Sequence, residues 1–236
     1  MGVVLLQNSF LLRVVSAFLL MPVVLYALWA GGFAFIALVL LAVLVSMREW
    51  VGMSLLSAHM WRDLLVGGLY ILFSFFAFAA IRFDGVAGFW ISFAILLAVW
   101  ASDSGAYFAG KTFKGPKMSP SISPNKTWSG FIGGCVFSAA AFYFFVTCIG
   151  PAAAQAFGKP FSFAGIEHSI ELLVLGALVT VFGQAGDLLI SMQKRKVGVK
   201  DTGVLIPGHG GILDRIDSLL MVSLAFAVYL YLVRGA

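Results

Sequence analysis

Charge is what this chain has least of. Asp, Glu, Lys and Arg make up 11% of its 236 residues, against roughly 25% in a soluble domain. With 61% hydrophobic residues and a mean hydropathy of +1.03, the chain cannot bury its apolar surface in a fold that faces water on all sides. Cysteine is also scarce. Cys135 and Cys148 are the only two. Both fall in one apolar run, too far apart along a helix to bridge, so they read as small packing residues. The histidines number three, His59, His168 and His209, and their spacing argues against a zinc site. No GxxxxGK[ST] loop, GxGxxG fingerprint or GxSxG elbow occurs, so the phosphate cradles and nucleophile elbow of soluble enzymes are missing.

Long apolar runs are what the chain has instead. Seven stand out, at 10–30, 33–47, 64–81, 87–101, 129–149, 171–190 and 218–234, measured against the about 20 residues that a helix needs to cross a bilayer. The second and fourth are short. In hydrocarbon the backbone must bond internally, which leaves helix bundles and closed barrels. The runs lack the ten-residue alternation of barrel strands, so the expected fold is all-α: a polytopic integral membrane bundle of about seven transmembrane helices, with seven to nine as the range. The first run is expected to be a retained helix and not a cleaved signal, because apolar residues precede Arg13 and the run continues past Gly31-Gly32. The 23 phenylalanines read as bulk packing.

Seven spans place alternate loops on opposite sides. The N-terminus, 48–63, 102–128 and 191–217 fall on one side and carry twelve of the 15 basic residues; Arg82, Lys159 and Arg234 are left for the other. The positive-inside rule assigns the richer side to the cytoplasm, and the expected location is a bacterial inner membrane. The pI near 9.4 then follows from topology and attraction to anionic lipid, and nucleic acid is not an expected partner.

Two of the basic loops carry more than charge. In WASDSGAYFAGKTFKGPKMSPSISPNKTWSG, Trp100 to Gly130, Asp103 closes an apolar run. If the helix continues, Asp103, Tyr107 and Lys111 share one face. Pro116, Pro120 and Pro124 then deny the loop a long helix. Ser119, Ser121, Ser123 and Thr127 offer hydroxyls, and Lys114, Lys117 and Lys126 offer charge. Thr127 or Asn125 is placed to cap the next helix. A phosphate-binding loop and a simple basic connector fit this composition equally.

The second region, VFGQAGDLLISMQKRK and onward to Asp217, packs three aspartates and five cations into the 27 residues from Ser191. Asp187, Ser191 and Lys194 form one helical stripe. Gly210 and Gly211, after Pro207-Gly208-His209, could present bare amides to phosphate oxygens. Asp214 and Asp217 follow, with Arg215 between them. His209 is a candidate base or phosphate ligand. Glu49 and Asp63 read as local partners of Arg48 and Arg62. Carboxylates alone repel phosphate, by about 4 kcal/mol for two like charges at 4 Å and an effective dielectric of 20. A divalent cation reverses that sign. The mixture therefore points to Mg²⁺-assisted phosphoryl or nucleotidyl transfer, with mutual salt bridges as the plain alternative.

At these residues the chain resembles the phosphatidate cytidylyltransferase family, the CDP-diacylglycerol synthases. The likeness rests on Ser191, Lys194-Arg195, Lys200-Asp201, His209-Gly210-Gly211 and Asp214-Arg215 with Asp217. Upstream it rests on Ser102-Asp103, Gly105-Ala106-Tyr107, Gly110-Lys111, Ser123-Pro124, Lys126-Thr127 and Gly130. The resemblance implies that CTP and phosphatidic acid yield CDP-diacylglycerol and pyrophosphate. It implies Mg²⁺, with a second cation such as K⁺, on Asp187 and Asp214; Asp103 and Asp217 are weaker candidates. Lys194, Arg195, Lys200 and Arg215 would join the catalytic set. Tyr107, Lys111, Ser123, Lys126, Thr127, Ser191, Asp201, His209, Gly210 and Gly211 would contact substrate. One membrane domain, 1–236, is expected, with 1–85 supplying packing or homodimer contacts and 86–236 forming the catalytic core. A CTP-dependent lipid kinase is the nearest rival. An ion-coupled transporter with its site at Asp103 and Asp187 is more distant.

Overall fold

The computed structural model describes residues 18–163, 165–166, 168–205 and 210–234. Helix α1, Phe18–Ala30, is the described part of the first apolar run. Then come α2 (Gly32–Ser54), α3 (Met60–Arg82), α4 (Gly85–Phe113), strands β1 (Lys117–Ser119) and β2 (Ser123–Thr127), α5 (Trp128–Phe144), α6 (Gly150–Phe157), α7 (Ser169–Lys196) and α8 (Leu213–Arg234). A π-helical turn, Phe145–Ile149, joins α5 to α6 without a break. Among the described residues, six helices are long and apolar enough to cross a membrane: α2, α3, α4, the continuous 128–157 run, α7 and α8. Each of the seven apolar runs thus becomes helix wherever it is described. The short ones grow at their polar ends. α2 extends to Ser54 and α4 to Phe113, because Arg48, Glu49 and the Asp103–Lys111 face prolong the helix beyond its apolar stretch.

The bundle is threaded through α4 and α7. α4 packs chiefly on α5, α5 on α7 and α7 on α8, while α3 joins α8 and α2 joins α3. Small residues permit the α4–α5 approach: a methyl at Gly105 would lie 2.6 Å from Phe137 Cβ, and one at Gly133 2.2 Å from Ala109 Cβ. The main core gathers Ala94, Ile95 and Ala98 of α4, Phe142, Leu172, Val179 and Val222. A second core joins Trp50 and Ile71 to Ile190, Leu213 and Leu220, so α2 and α3 pack directly against the helices of the second polar region. Between α4, α5 and α7 a buried hydroxyl chain runs from Ser102 to Thr180 to Ser138, each contact 2.8 Å.

The proline-rich loop is not irregular. It folds into an antiparallel hairpin, with Lys117 opposite Thr127 and Ser119 opposite Ser123, and a register irregularity between. Thr127 then caps α5: its Oγ1 accepts from Gly130 N at 3.1 Å, as the sequence suggested. Thr127→Ala should cost about 1 kcal/mol of stability, read as a lower thermal midpoint in detergent; an unchanged midpoint would show the cap to be idle.

Candidate active site at the polar end of the bundle

The two singled-out regions meet at one end of the bundle. On α7 the stripe forms as spaced: Ser191 Oγ donates to Asp187 Oδ1 at 3.0 Å, one turn apart. β2 brings Lys126 across to the same carboxylate, its Nζ 2.5 Å from Asp187 Oδ2. Farther along α7, Arg195 donates to the carbonyl oxygens of Ile122 and Val199, both at 3.2 Å. It thereby fastens the hairpin to the end of α7. Ser123 lies at the start of β2, half-buried. Tyr107 and Lys111 continue the exposed face of α4, with Lys111 Nζ 3.4 Å from the Tyr107 hydroxyl.

Asp214 opens α8 and is held on every side. Lys194 Nζ donates to Oδ1 at 2.6 Å. Oδ2 accepts from Thr202 N at 2.8 Å, Gly211 N at 3.1 Å and Thr202 Oγ1 at 3.1 Å. The Gly211 amide, expected to be bare for phosphate, is therefore engaged by Asp214, while Gly210 folds against Asp201 and Asp214. Lys200 and Asp201 are exposed beside this turn. His209 lies outside the described residues.

Asp217 sits one turn into α8, its Oδ1 accepting from Ser218 N at 2.8 Å. Its carboxylate is within electrostatic range of Asp187, Lys194 and Asp103. Asp103 in turn feels Asp187, Lys126 and Arg215. Acids from α4, α7 and α8 thus share one neighbourhood, interleaved with cations.

Of the two residues expected to pair locally, Glu49 does not, and Asp63 does so among several other partners. Glu49 is not paired with Arg48. Its Oε1 accepts from Ile212 N at 2.8 Å, and its Oε2 from Leu213 N at 2.9 Å and Thr202 Oγ1 at 2.8 Å. The reason is electrostatic. Near the end of α2 a carboxylate faces the negative end of its own helix dipole, whereas the start of α8 offers unsatisfied amides and the positive end of another. Asp63 does contact Arg62, at 3.2 Å, but it also receives Ser57 Oγ at 2.5 Å, Gln193 Nε2 at 3.1 Å and Lys196 Nζ. It binds the α2–α3 turn to the end of α7.

These contacts set the loops 48–63, 102–128 and 191–217 on one end, as the charge count required. Arg82 and Lys159 lie together at the other, donating to the carbonyl oxygens of Leu28 and Trp29.

Residues 57–233 match the profile of the cytidylyltransferase family. The chain belongs to the cytidylyltransferase family. Among similar proteins, the phosphatidate cytidylyltransferase of Brucella suis biovar 1 (strain 1330) is 39% identical over 165 residues, covering 70% of this chain and 55% of the relative. That of Rickettsia conorii (strain ATCC VR-613 / Malish 7) is 32% identical over 228 residues, covering 96% of this chain and 94% of the relative. That of Haemophilus influenzae is 37% identical over 148 residues, covering 63% and 48%. The chain thus spans about half the length of the Brucella and Haemophilus proteins and nearly all of the Rickettsia one.

The donor set at this end fits a hard cation. All three clustered acids are oxygen donors. Buried polar atoms surround them that lack hydrogen-bond partners among the described residues: Gln184 Oε1 one turn before Asp187, the Tyr70 hydroxyl near Asp217, and Lys126 Nζ, whose contact with Asp187 is an ion pair without hydrogen-bond alignment. As the side chains stand, no three acidic, histidine or cysteine groups among the described residues enclose a common point. Mg²⁺ does not need that, since it commonly takes one or two carboxylates and completes its shell with water and substrate phosphate. Asp214 is the poorer ligand as built, because Oδ2 already serves three donors and Oδ1 holds Lys194.

Thr202, Gln193 and Tyr70 were not expected from the sequence, and Glu49 and Asp63 were expected only as partners of Arg48 and Arg62. The available signal was Glu49 itself: an acid near the unfavourable end of a long apolar helix has to find its partner elsewhere.

Proposed function

We propose that the chain transfers the cytidylyl group of CTP to phosphatidate, giving CDP-diacylglycerol and pyrophosphate. What carries the reading is the neighbourhood of Asp103, Asp187 and Asp217 with Lys126 on Asp187, in a chain of the cytidylyltransferase family. The attacking group is the phosphatidate phosphate monoester, already ionised near neutral pH, so no strong general base is required. Its oxygen bonds to the α-phosphorus of CTP as the bond to the β-phosphate oxygen breaks, and pyrophosphate leaves.

Asp187 and Asp217, with Asp103 beside them, would hold Mg²⁺; when bound it offsets the repulsion between the two anionic substrates. Ser191 fixes the Asp187 carboxylate. Lys126 has a buried ammonium with donors to spare and takes a phosphate oxygen once the acid turns to the cation. Lys194 keeps Asp214 and the start of α8 in place. Arg215 and the exposed Lys200 and Lys111 attract the triphosphate. Gln184 and Tyr70 offer polar atoms below the cluster, where a lipid headgroup entering from the bilayer would lie. The polar end faces the cytoplasm, by the excess of basic residues in its loops.

The test is incubation of the purified protein with phosphatidate and CTP labelled at the α or the γ phosphate. The proposal expects α label in the lipid and γ label in pyrophosphate. Lipid labelled from the γ position would instead make the protein a CTP-dependent lipid kinase.

A further inference from the structure

Glu49 lies on α2, ahead of the stretch that matches the family, yet among the described residues the hydrogen bonds its carboxylate accepts come from the C-terminal region. It accepts two backbone amides at the start of α8 and the Thr202 hydroxyl, across 153 to 164 residues of sequence. The side chain is buried, 8% exposed, so these bonds form where water does not compete. Hydrogen bonds to a charged group are the stronger kind. Two glycines make room for it: a methyl at Gly211 would lie 2.4 Å from Glu49 Oε2, and one at Gly203 3.0 Å from Oε1. The Thr202 hydroxyl faces Glu49 Oε2 and Asp214 Oδ2 together, at 2.8 and 3.1 Å. One hydroxyl hydrogen therefore serves both acids, and the placement of Asp214 is linked to that of Glu49.

We infer that Glu49 is a positioning residue for the reaction: a cap lent by α2 that fixes where α8 begins, and so where Asp214 and Asp217 stand against Asp187. The working unit then starts at α2 and not at α4. Residues 32–54 are part of the catalytic machinery, and are not lipid-facing packing alone.

The inference rests on the cytidylyl-transfer reading, and its test separates the two. Wild type, Glu49→Gln and Glu49→Asp are purified in detergent. Each is assayed for α-label transfer from CTP to phosphatidate, for thermal midpoint, and for amide hydrogen exchange over 202–217. Gln keeps the size but sets an NH₂ group against backbone donors. Its kcat should fall by about 10- to 100-fold, the usual effect of losing a group that orients ligand side chains. KM for CTP should change less than kcat, and exchange over 202–217 should quicken. Asp keeps the charge at shorter reach and should recover part of the kcat lost by Gln. If Glu49→Gln does not fold, Glu49→Asp carries the same readouts against wild type. Wild-type kcat per folded molecule in Glu49→Gln, with only the midpoint lowered, overturns the inference, and so does lost activity with unchanged exchange. A wild type that moves no label removes the underlying reaction, and the exchange comparison then decides the capping claim by itself.

Discussion

Asp187→Ala should abolish CTP-dependent lipid labelling, with a loss on the order of a thousandfold or more, while the protein still inserts and folds. The size is that of removing one organised electrostatic element from a site where charge moves in the transition state. Stability should fall less than in Asp214→Ala. Asp187 is 29% exposed, against 5% for Asp214, and its partners are Lys126 and Ser191. The buried Lys126 ammonium loses its partner, but the vacated carboxylate position is open enough for water to replace it in part. Lys126→Ala tests the other half of the pair. If Lys126 hands itself from Asp187 to a substrate phosphate, the variant raises KM for a substrate and keeps the fold. Measurable activity in Asp187→Ala near that of wild type would remove the acidic cluster from the mechanism.

Asp214→Ala should behave differently, losing both activity and stability. Its carboxylate is 5% exposed and its partner Lys194 10%. Taking away one member strands an ammonium where water cannot reach it freely, which costs about 3–5 kcal/mol. It also deprives Thr202 N and Gly211 N of their acceptor. The expected result is a sharply lower thermal midpoint and a cytidylyl-transfer rate that falls even in the folded fraction, as α8 loses its anchored start. Thermal unfolding beside label transfer checks this. A variant with wild-type midpoint and no activity would show that Asp214 is a direct metal ligand after all and that its clasp is incidental.

The contrast between these two acids explains what the sequence could and could not tell. The resemblance implies a metal on both, and spacing alone gives them equal standing as ligands. The distinction depends on what surrounds each one, and the neighbours come from distant parts of the chain: Lys126 from the hairpin for Asp187, and Thr202 for Asp214. Apolar runs are different, because length and composition set them locally. Wherever they are described, all seven were legible for that reason; the errors lie at their ends, where Arg48, Glu49 and the Asp103–Lys111 face extend two helices past the last apolar residue and the fifth run continues to Phe157. The proline-rich loop was legible as non-helical but not as a hairpin, since its strands lack any apolar alternation. Glu49 was read as local because Arg48 is adjacent in sequence. Adjacent residues on a helix point in different directions, and the α8 amides were the nearer donors in space.

The two ends of the bundle also differ in chemistry, beyond the count of lysines and arginines. At the far end Arg82 and Lys159 close off carbonyl oxygens and lie over the rings of Phe35, Phe89 and Trp29, so their charge is spent on structure. At the polar end the buried ammonium of Lys126, the Gln184 amide oxygen and the Tyr70 hydroxyl keep bonding capacity in hand. Unused polar capacity inside a membrane protein is costly, and these three groups carry it on the elements that bear the clustered acids or pack against them.

The central claim is that these acids converge on one divalent ion, and Mn²⁺ tests it without relying on turnover. Mn²⁺ should be titrated into purified wild type and Asp187→Asn with electron paramagnetic resonance detection, with and without CTP. The account predicts one bound Mn²⁺ in wild type, tightened by CTP, displaced by Mg²⁺ and lost in Asp187→Asn. Equal binding by the two proteins, or a wild type that transfers α label while binding no ion, would contradict it.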